Sequence, residues 1–184
     1  MSRQTRGYRR MDITGMGSLF ESYGGKPIDE SKKIIIFDLD GTLAIIDKRK
    51  DLAMTSEQKR HTKFNWDVFF NPENIKLDVP NEPVVKMAQL FAENGFTIVI
   101  FSGRSNKTEK TTRSWLARNR VPFHKLVMRD NKRHYMPDNE LKKQFLDEHV
   151  NIDDVFLVVD DRQQVVDMWR KNGLTVFQVN EGNF

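Results

Sequence analysis

The sequence predicts an α/β fold, a doubly wound parallel sheet with a small insertion after its first strand. Three observations predict it. Apolar runs of strand length recur along the chain, amphipathic stretches of helical length separate them, and several runs end abruptly in small or charged polar residues. Strands that are apolar throughout are buried on both faces, which calls for helices on both sides of the sheet and parallel pairing through right-handed crossovers.

Residues 1–31 lack sustained periodicity and read as a basic tail or irregular wrap, with Arg3, Arg6, Arg9 and Arg10 carrying much of the net charge of +4. Such an arm is either solvated chain or an electrostatic contact for a phosphate backbone. The stretch "YGGKP" has Pro27 after Lys26 where a phosphate-binding loop needs Ser or Thr, and it lacks that loop's first glycine, so no kinase activity is expected. A domain is expected over 32–184. "KKIIIFD" is its first strand, and Pro83–Asn94 a helix with an early proline and an Asn94-Gly95 stop. "FTIVIFSG" is the second strand and Asn106–Asn119 the second helix. "HKLVMR", Asp138–His149, "VFLVVDD", Gln163–Asn172 and "LTVFQV" continue the alternation, and Trp115 and Trp169 fall on core-facing helix positions. Residues 45–82 interrupt the rhythm, charged first and then aromatic, and are expected to lie as a cap over the carboxyl end of the sheet. Trp66, Phe69 and Phe70 there form either the small core of the insertion or a surface that stacks on a base.

Composition bounds the rest. With 184 residues, 38% hydrophobic and 30% charged, the chain suits one ordinary soluble domain. There is no membrane-length apolar run and no signal-peptide centre, and the absence of cysteine removes disulfides and thiolate metal sites, so a cytoplasmic location is expected. His61, His124, His134 and His149 lack metal-ligand spacing.

The chemistry gathers at strand ends. Asp38 and Asp40 close the first run, Ser102, Gly103 and Arg104 the second, Asp160 and Asp161 the fourth. Ligands of open α/β sheets collect outside the carboxyl ends of the strands. Four acids in one crevice repel one another unless a cation lies among them, and oxygen ligands without cysteine or paired histidine favour Mg2+. A phosphate fits as second ligand, bound by Ser102 and a nearby lysine.

Asp38-Leu-Asp40-Gly41-Thr42, the strand-end Ser102, a helix lysine and the Asp160-Asp161 pair resemble the four motifs of haloacid dehalogenase (HAD) superfamily phosphatases, from Lys33 almost to the end of the chain. "FSGR" and "DDRQQVVDMWRKNGLTVFQVNEGNF" are similar to the 3'-phosphatase domain of bacteriophage polynucleotide kinases. The resemblance implies a HAD-like fold and a set of roles. Asp38 is the nucleophile that forms an aspartyl-phosphate. Asp40 is the general acid and base, its pKa expected to be raised by neighbouring acids. Mg2+ is held by Asp38, Asp40 through its backbone carbonyl, Asp160 and Asp161, while Thr42, Ser102, Gly103 and Lys142 bind phosphate. "PDNELK" selects Lys142 over Lys143 and makes Asp138 a supporting acid, and Arg49 and Arg104 fall on positions that serve phosphate or nucleic acid. The family often has arginine just before "PD", where this chain has Met136, and Arg133 is the nearby substitute.

The implied substrate is a 3'-phosphate on a DNA or RNA end, in a phage-infected or bacterial cytoplasm. Two alternatives stand beside it: a 5'-mononucleotide phosphatase that uses 45–82 as a lid, and a non-catalytic nucleic-acid-binding module on the same fold.

Overall fold

A computed structural model describes residues 31, 33–54 and 64–182. The arginine-rich arm, apart from its last residue, lies outside the described residues, as does His61.

In chain order, strand β1 (Ile34–Asp38) leads through a tight turn to a short strand β2 (Ala44–Ile45) and helix α1 (Asp47–Ala53). Helices α2 (Trp66–Phe69) and α3 (Pro72–Ile75) follow, then β3 (Val79–Pro80), which pairs antiparallel with β2. Asn65 and Asn71 cap these two short helices by accepting from Val68 N at 3.1 Å and Glu73 N at 2.9 Å. The alternation then resumes with α4 (Glu82–Glu93), β4 (Thr97–Ser105), α5 (Glu109–Arg118), β5 (Lys125–Arg129), α6 (Asp138–His149), β6 (Val155–Asp160), α7 (Gln163–Lys171) and β7 (Val176–Gln178).

The main sheet has five strands in the order β5-β4-β1-β6-β7, and every neighbouring pair is parallel. β1 is therefore central. Its register sets Asp38 opposite Phe101 and Phe37 opposite Val159, so that Asp160, the last residue of β6, and Ser102 lie beside Asp38; β4 runs on past the expected end at Gly103 to Ser105, with its pairing to β5 irregular after Ser102.

Alternation along the strands divides the apolar residues between two cores, as a sheet covered on both faces requires. Ile35, Phe37, Ile98, Ile100, Leu157 and Val159 pack with Val84, Val85 and Ala88 of α4 and with Trp115 and Leu116 of α5. Ile36, Val99, Phe101 and Val158 pack on the other side with Leu141, Phe145 and Leu146 of α6 and Val165 and Trp169 of α7. Phe69 of the inserted segment belongs to the first core.

The observed fold is the doubly wound α/β sheet expected from the apolar runs. Its second helix begins later than Asn106, because residues Asn106–Thr108 form a 3-10 turn. The Ser105 hydroxyl caps that turn by accepting from Lys107 N at 3.3 Å. Among the described residues no helix is long and apolar enough to cross a membrane.

Candidate active site

The site starts at the turn that ends β1. Ala44 N donates to Leu39 O at 2.8 Å and Gly41 N to Ala44 O at 2.9 Å, folding 38–44 into a compact loop with Leu39 and Leu43 buried. Gly41 has φ +93°, and a Cβ on it would lie 2.2 Å from Asp161 Oδ2. A Cβ on Gly182 would come equally close to the same oxygen, so the Asp161 carboxylate occupies a slot that two backbones approach only as glycine.

Around Asp38 the structure assembles one buried cluster. Lys142, from the first turns of α6, donates its ammonium to Asp38 Oδ1 at 2.6 Å and to Asp160 Oδ2 at 2.9 Å. Trp169 Nε1 donates to the same Asp160 oxygen at 3.1 Å, while Asp160 Oδ1 accepts from the backbone of Asp161 at 3.0 Å. Thr42 Oγ1 donates to Asp161 Oδ1 at 3.3 Å. Asp38 Oδ2 is buried and has no partner. Asp38, Asp160 and Asp161 each turn an oxygen toward a common point, with the three atoms within 4.8 Å of one another.

Burial and like charge dominate the electrostatics of this cluster. Burial pushes the Asp38 carboxyl well above the ordinary range, Lys142 opposes it, and the Asp160 and Asp161 charges push it further up. Asp161 is raised to about 6, first by burial and then by Asp160. Lys142 loses solvation on burial, yet Asp160, Asp38 and Asp138 more than restore its charge and shift it upward. The orphaned Asp38 oxygen and the hard donor set fit a divalent cation held by these three aspartates. The Asp40 carboxylate, expected in the same acid set, is not part of the triplet.

Asp40 instead sits in a second cluster. Arg104 donates Nε to both of its oxygens at 2.9 and 3.0 Å, and Arg104 Nη2 and Arg49 Nη2 both donate to Oδ1. The same two arginines close on Asp78, Arg49 through Nε at 2.7 Å and Arg104 through Nη2 at 2.7 Å. Both guanidiniums are fully buried. Arg49 also lies 4.1 Å over the Phe69 ring and donates to Phe69 O at 3.2 Å, tying the inserted segment to the strand end. This corrects the expectation of a raised Asp40 pKa. Burial does push Asp40 up, but Arg104 and Arg49 outweigh it and hold the carboxyl at about 2. Burial and the Asp40 charge move the excess onto Asp78, which rises to about 6 against the pull of both arginines.

Ser102, Gly103 and Asp138 form the third side. Ser102 is fully buried, and its oxygen accepts from Arg104 N at 3.2 Å, which leaves the hydroxyl proton to donate. Arg129, at the end of β5, donates Nε to Gly103 O at 3.0 Å and Nη2 to Asp138 Oδ1 at 2.6 Å. Its Nη1 donates to Arg133 O at 2.7 Å and Met136 O at 2.6 Å. Arg162 Nη1 donates to the other Asp138 oxygen at 2.8 Å. Arg133, the expected substitute for an arginine at 136, faces outward to Glu148 at 2.8 Å. Lys143 is on the surface with Asp147.

Asp78, Arg129 and Arg162 were not among the expected site residues. Arg129 ends a strand just as Asp38 and Asp160 do, so the strand-end argument extends to it. Asp78 is a lone acid in the apolar stretch "IKLDVP", and a buried charge needs a partner wherever it occurs. The aromatics of the insertion separate by burial: Phe69 is in the core, whereas Trp66 is 51% exposed and stacked on Phe70.

Comparison with known proteins agrees with this geometry. The family model of the polynucleotide kinase PNKP phosphatase domain matches residues 32–184. Two solved structures of a Pnkp1/Rnl/Hen1 complex, one of them described as an RNA repair complex, contain a chain 31% identical to this one. The superpositions have TM-scores of 0.64 and 0.69 and cover 85% and 86% of this chain. They cover 49% and 46% of the matched chains, so this chain spans about half their length. A haloacid dehalogenase-like hydrolase from Streptococcus pneumoniae shares the fold at 13% identity, with a TM-score of 0.61 over 80% of this chain and 84% of that one.

Proposed function

The chain belongs to the PNKP phosphatase-domain family of HAD phosphatases, and from that membership we propose that it removes the 3'-phosphate from DNA or RNA ends through an aspartyl-phosphate on Asp38. The observation that carries the mechanism is the state of Asp38. One oxygen is fixed by Lys142, the other is buried without a protein partner, and two further aspartates lie beside it. The nucleic-acid substrate is supported by the family and by the RNA repair complex in which a 31% identical relative is found.

Asp38, Asp160 and Asp161 would hold Mg2+, which would supply positive charge against their mutual repulsion and Lewis acidity toward the phosphoryl oxygens. In the first step the Asp38 carboxylate attacks phosphorus, the acyl-phosphate bond forms and the bond to the 3'-oxygen breaks. Ser102 and Lys142 donate to the phosphoryl oxygens as charge develops on them, with Thr42 and Gly103 completing the phosphate-binding set. Asp40 delivers a proton to the departing oxygen. Arg49 and Arg104 keep Asp40 ionised at rest, so Asp40 takes up that proton from solvent or substrate before passing it on. In the second step Asp40, again ionised, accepts a proton from the water that hydrolyses the acyl-phosphate. Arg49, Arg104 and Asp78 orient Asp40, and Asp138, gripped by Arg129 and Arg162, anchors the start of α6 and with it Lys142.

The test is phosphate release with Mg2+ from a 3'-phosphorylated oligonucleotide, a 3'-mononucleotide and a 5'-mononucleotide, with Asp38→Asn as blank. A large preference for the oligonucleotide and a silent variant are expected. Preference for the 5'-mononucleotide would overturn the substrate and leave the chemistry standing. No turnover on any of the three, with nucleic-acid binding unchanged in Asp38→Asn, would favour the non-catalytic binding module.

A further inference from the structure

We propose that the loop between β5 and α6 is a seat for the nucleic-acid strand, and that Tyr135 at its tip stacks on a base near the 3'-end. The inference rests on the 3'-phosphatase reading and deepens it, by assigning a residue that recognises the polymer apart from the phosphate.

Tyr135 is 94% exposed, the largest exposure of any bulky apolar or aromatic side chain among the described residues. An aromatic ring left in water has no packing reason to be there, and a tyrosine at the tip of a loop makes a flat, amphipathic contact surface. The loop that presents it is built firmly. Arg129 donates Nη1 to the carbonyls of Arg133 at 2.7 Å, His134 at 3.5 Å and Met136 at 2.6 Å, so three carbonyls flanking the tyrosine converge on one guanidinium. Asp130 caps the loop's first turn from the other end, accepting from Lys132 N at 2.9 Å and Arg133 N at 3.0 Å. An exposed ring on a fixed backbone loses little entropy when it binds.

Position and charge name the occupant. The guanidinium that holds the loop also holds Gly103 O at 3.0 Å and Asp138 Oδ1 at 2.6 Å, so the loop that carries Tyr135 is tied directly to the backbone beside Ser102 and to the start of the helix that carries Lys142. Lys132 and His134 are exposed beside it, the imidazole edge-on to the phenol at 4.7 Å. Lys107, after the end of β4, is exposed as well. An exposed ring on a loop that also exposes a lysine, tied to the phosphate crevice, has the chemistry of a single-strand seat: bases stack on the aromatic while the backbone follows the positive charge.

The experiment compares wild type, Tyr135→Ala and Tyr135→Phe on two readouts. One is kcat/KM for a 3'-phosphorylated oligonucleotide divided by kcat/KM for glycerol 2-phosphate, which has no base. The other is the Kd of the matching 3'-hydroxyl oligonucleotide by fluorescence anisotropy, which needs no turnover. We expect Tyr135→Ala to lower the ratio about tenfold through KM and to weaken binding about as much, and Tyr135→Phe to retain both within about twofold. If wild type prefers the oligonucleotide and Tyr135→Ala matches it on both readouts, the stacking assignment is overturned and the 3'-phosphatase reading survives. If Tyr135→Phe loses as much as Tyr135→Ala, stacking is likewise overturned in favour of a hydroxyl contact. If wild type hydrolyses glycerol 2-phosphate and shows no preference for 3'-phosphorylated ends, the 3'-phosphatase reading fails, and the binding readout then decides the stacking by itself.

Discussion

At the scale of single residues, two adjacent lysines show how burial separates a member of the buried acid cluster from a surface charge. Lys142 is 2% exposed between Asp38 and Asp160, whereas Lys143 pairs at the surface with Asp147. Lys142→Met, which keeps the length of the chain and removes the charge, should lower phosphate release by at least about a hundredfold, and Lys143→Ala should stay within about twofold of wild type. A phosphate-release assay with both variants checks this, and the reverse order would move the phosphate site to Lys143. Asp78 offers a test by pH. Its carboxyl is raised to about 6 by burial and by Asp40, so between pH ~4 and ~6 the folded protein keeps a proton that the unfolded chain has released. The favourable contribution of that group is complete below the unfolded pKa and is lost as pH rises through about 6. The stability of Asp78→Asn relative to wild type should therefore increase by roughly 2–3 kcal/mol from pH 4 to pH 7, read as the difference in thermal midpoint, while turnover falls because Asp40 loses its orientation. The acids Asp38, Asp40, Asp160 and Asp161 were legible in the sequence because each ends an apolar run. The burial of Arg49 was not, because in sequence it belongs to the charge run "DKRKD", and only the fold brings it against Asp78, 29 residues further along.

At the scale of elements, legibility followed periodicity. The runs "IIIFD" and "VFLVVD" are strands because residues on both of their faces are buried, and Gln163–Lys171 is a helix whose Val165, Val166 and Trp169 form one buried side. The insertion gave no such signal. α2 and α3 are single turns held by asparagine caps, too short to show a period, and β2 and β3 pair over two residues each. The loop between β5 and α6 was illegible for a different reason: side-chain donation to backbone carbonyls holds it, and hydrophobic patterning does not. That cause is testable. Arg129→Met removes every one of these bonds, and amide hydrogen exchange should then accelerate across 130–138 and leave the β1 and β4 amides protected. The accompanying loss of stability should be about 1–3 kcal/mol. Uniform acceleration across the sheet would mean that Arg129 supports the whole domain.

At the scale of the whole molecule, the sheet order places the strongest charge repulsion at the centre of the fold. β1 and β6 are neighbours in the middle of the sheet, and Asp38, Asp160 and Asp161 meet at their ends, backed by two apolar cores. A cation bound there is linked to several elements at once, since α6 reaches the cluster through Lys142 and α7 through Trp169. Unfolding disperses the cluster, so a ligand of the cluster stabilises the entire domain by mass action. At a hundredfold excess over its Kd, Mg2+ should add about 2.7 kcal/mol, which for a domain of this size is a rise of about 5–10 °C in Tm, reversed by a chelator. Asp160→Asn should abolish the rise, because it takes a carboxylate from the triplet, and Lys143→Ala should keep it in full. The sign without metal is equally informative. Asp160→Asn relieves like-charge repulsion on Asp38 and Asp161 but removes a partner of Lys142, so a metal-free Tm at or above that of wild type means that repulsion dominates, and a cation is then what the native cluster lacks. A wild-type Tm indifferent to Mg2+ at millimolar concentration would overturn the metal assignment regardless of turnover.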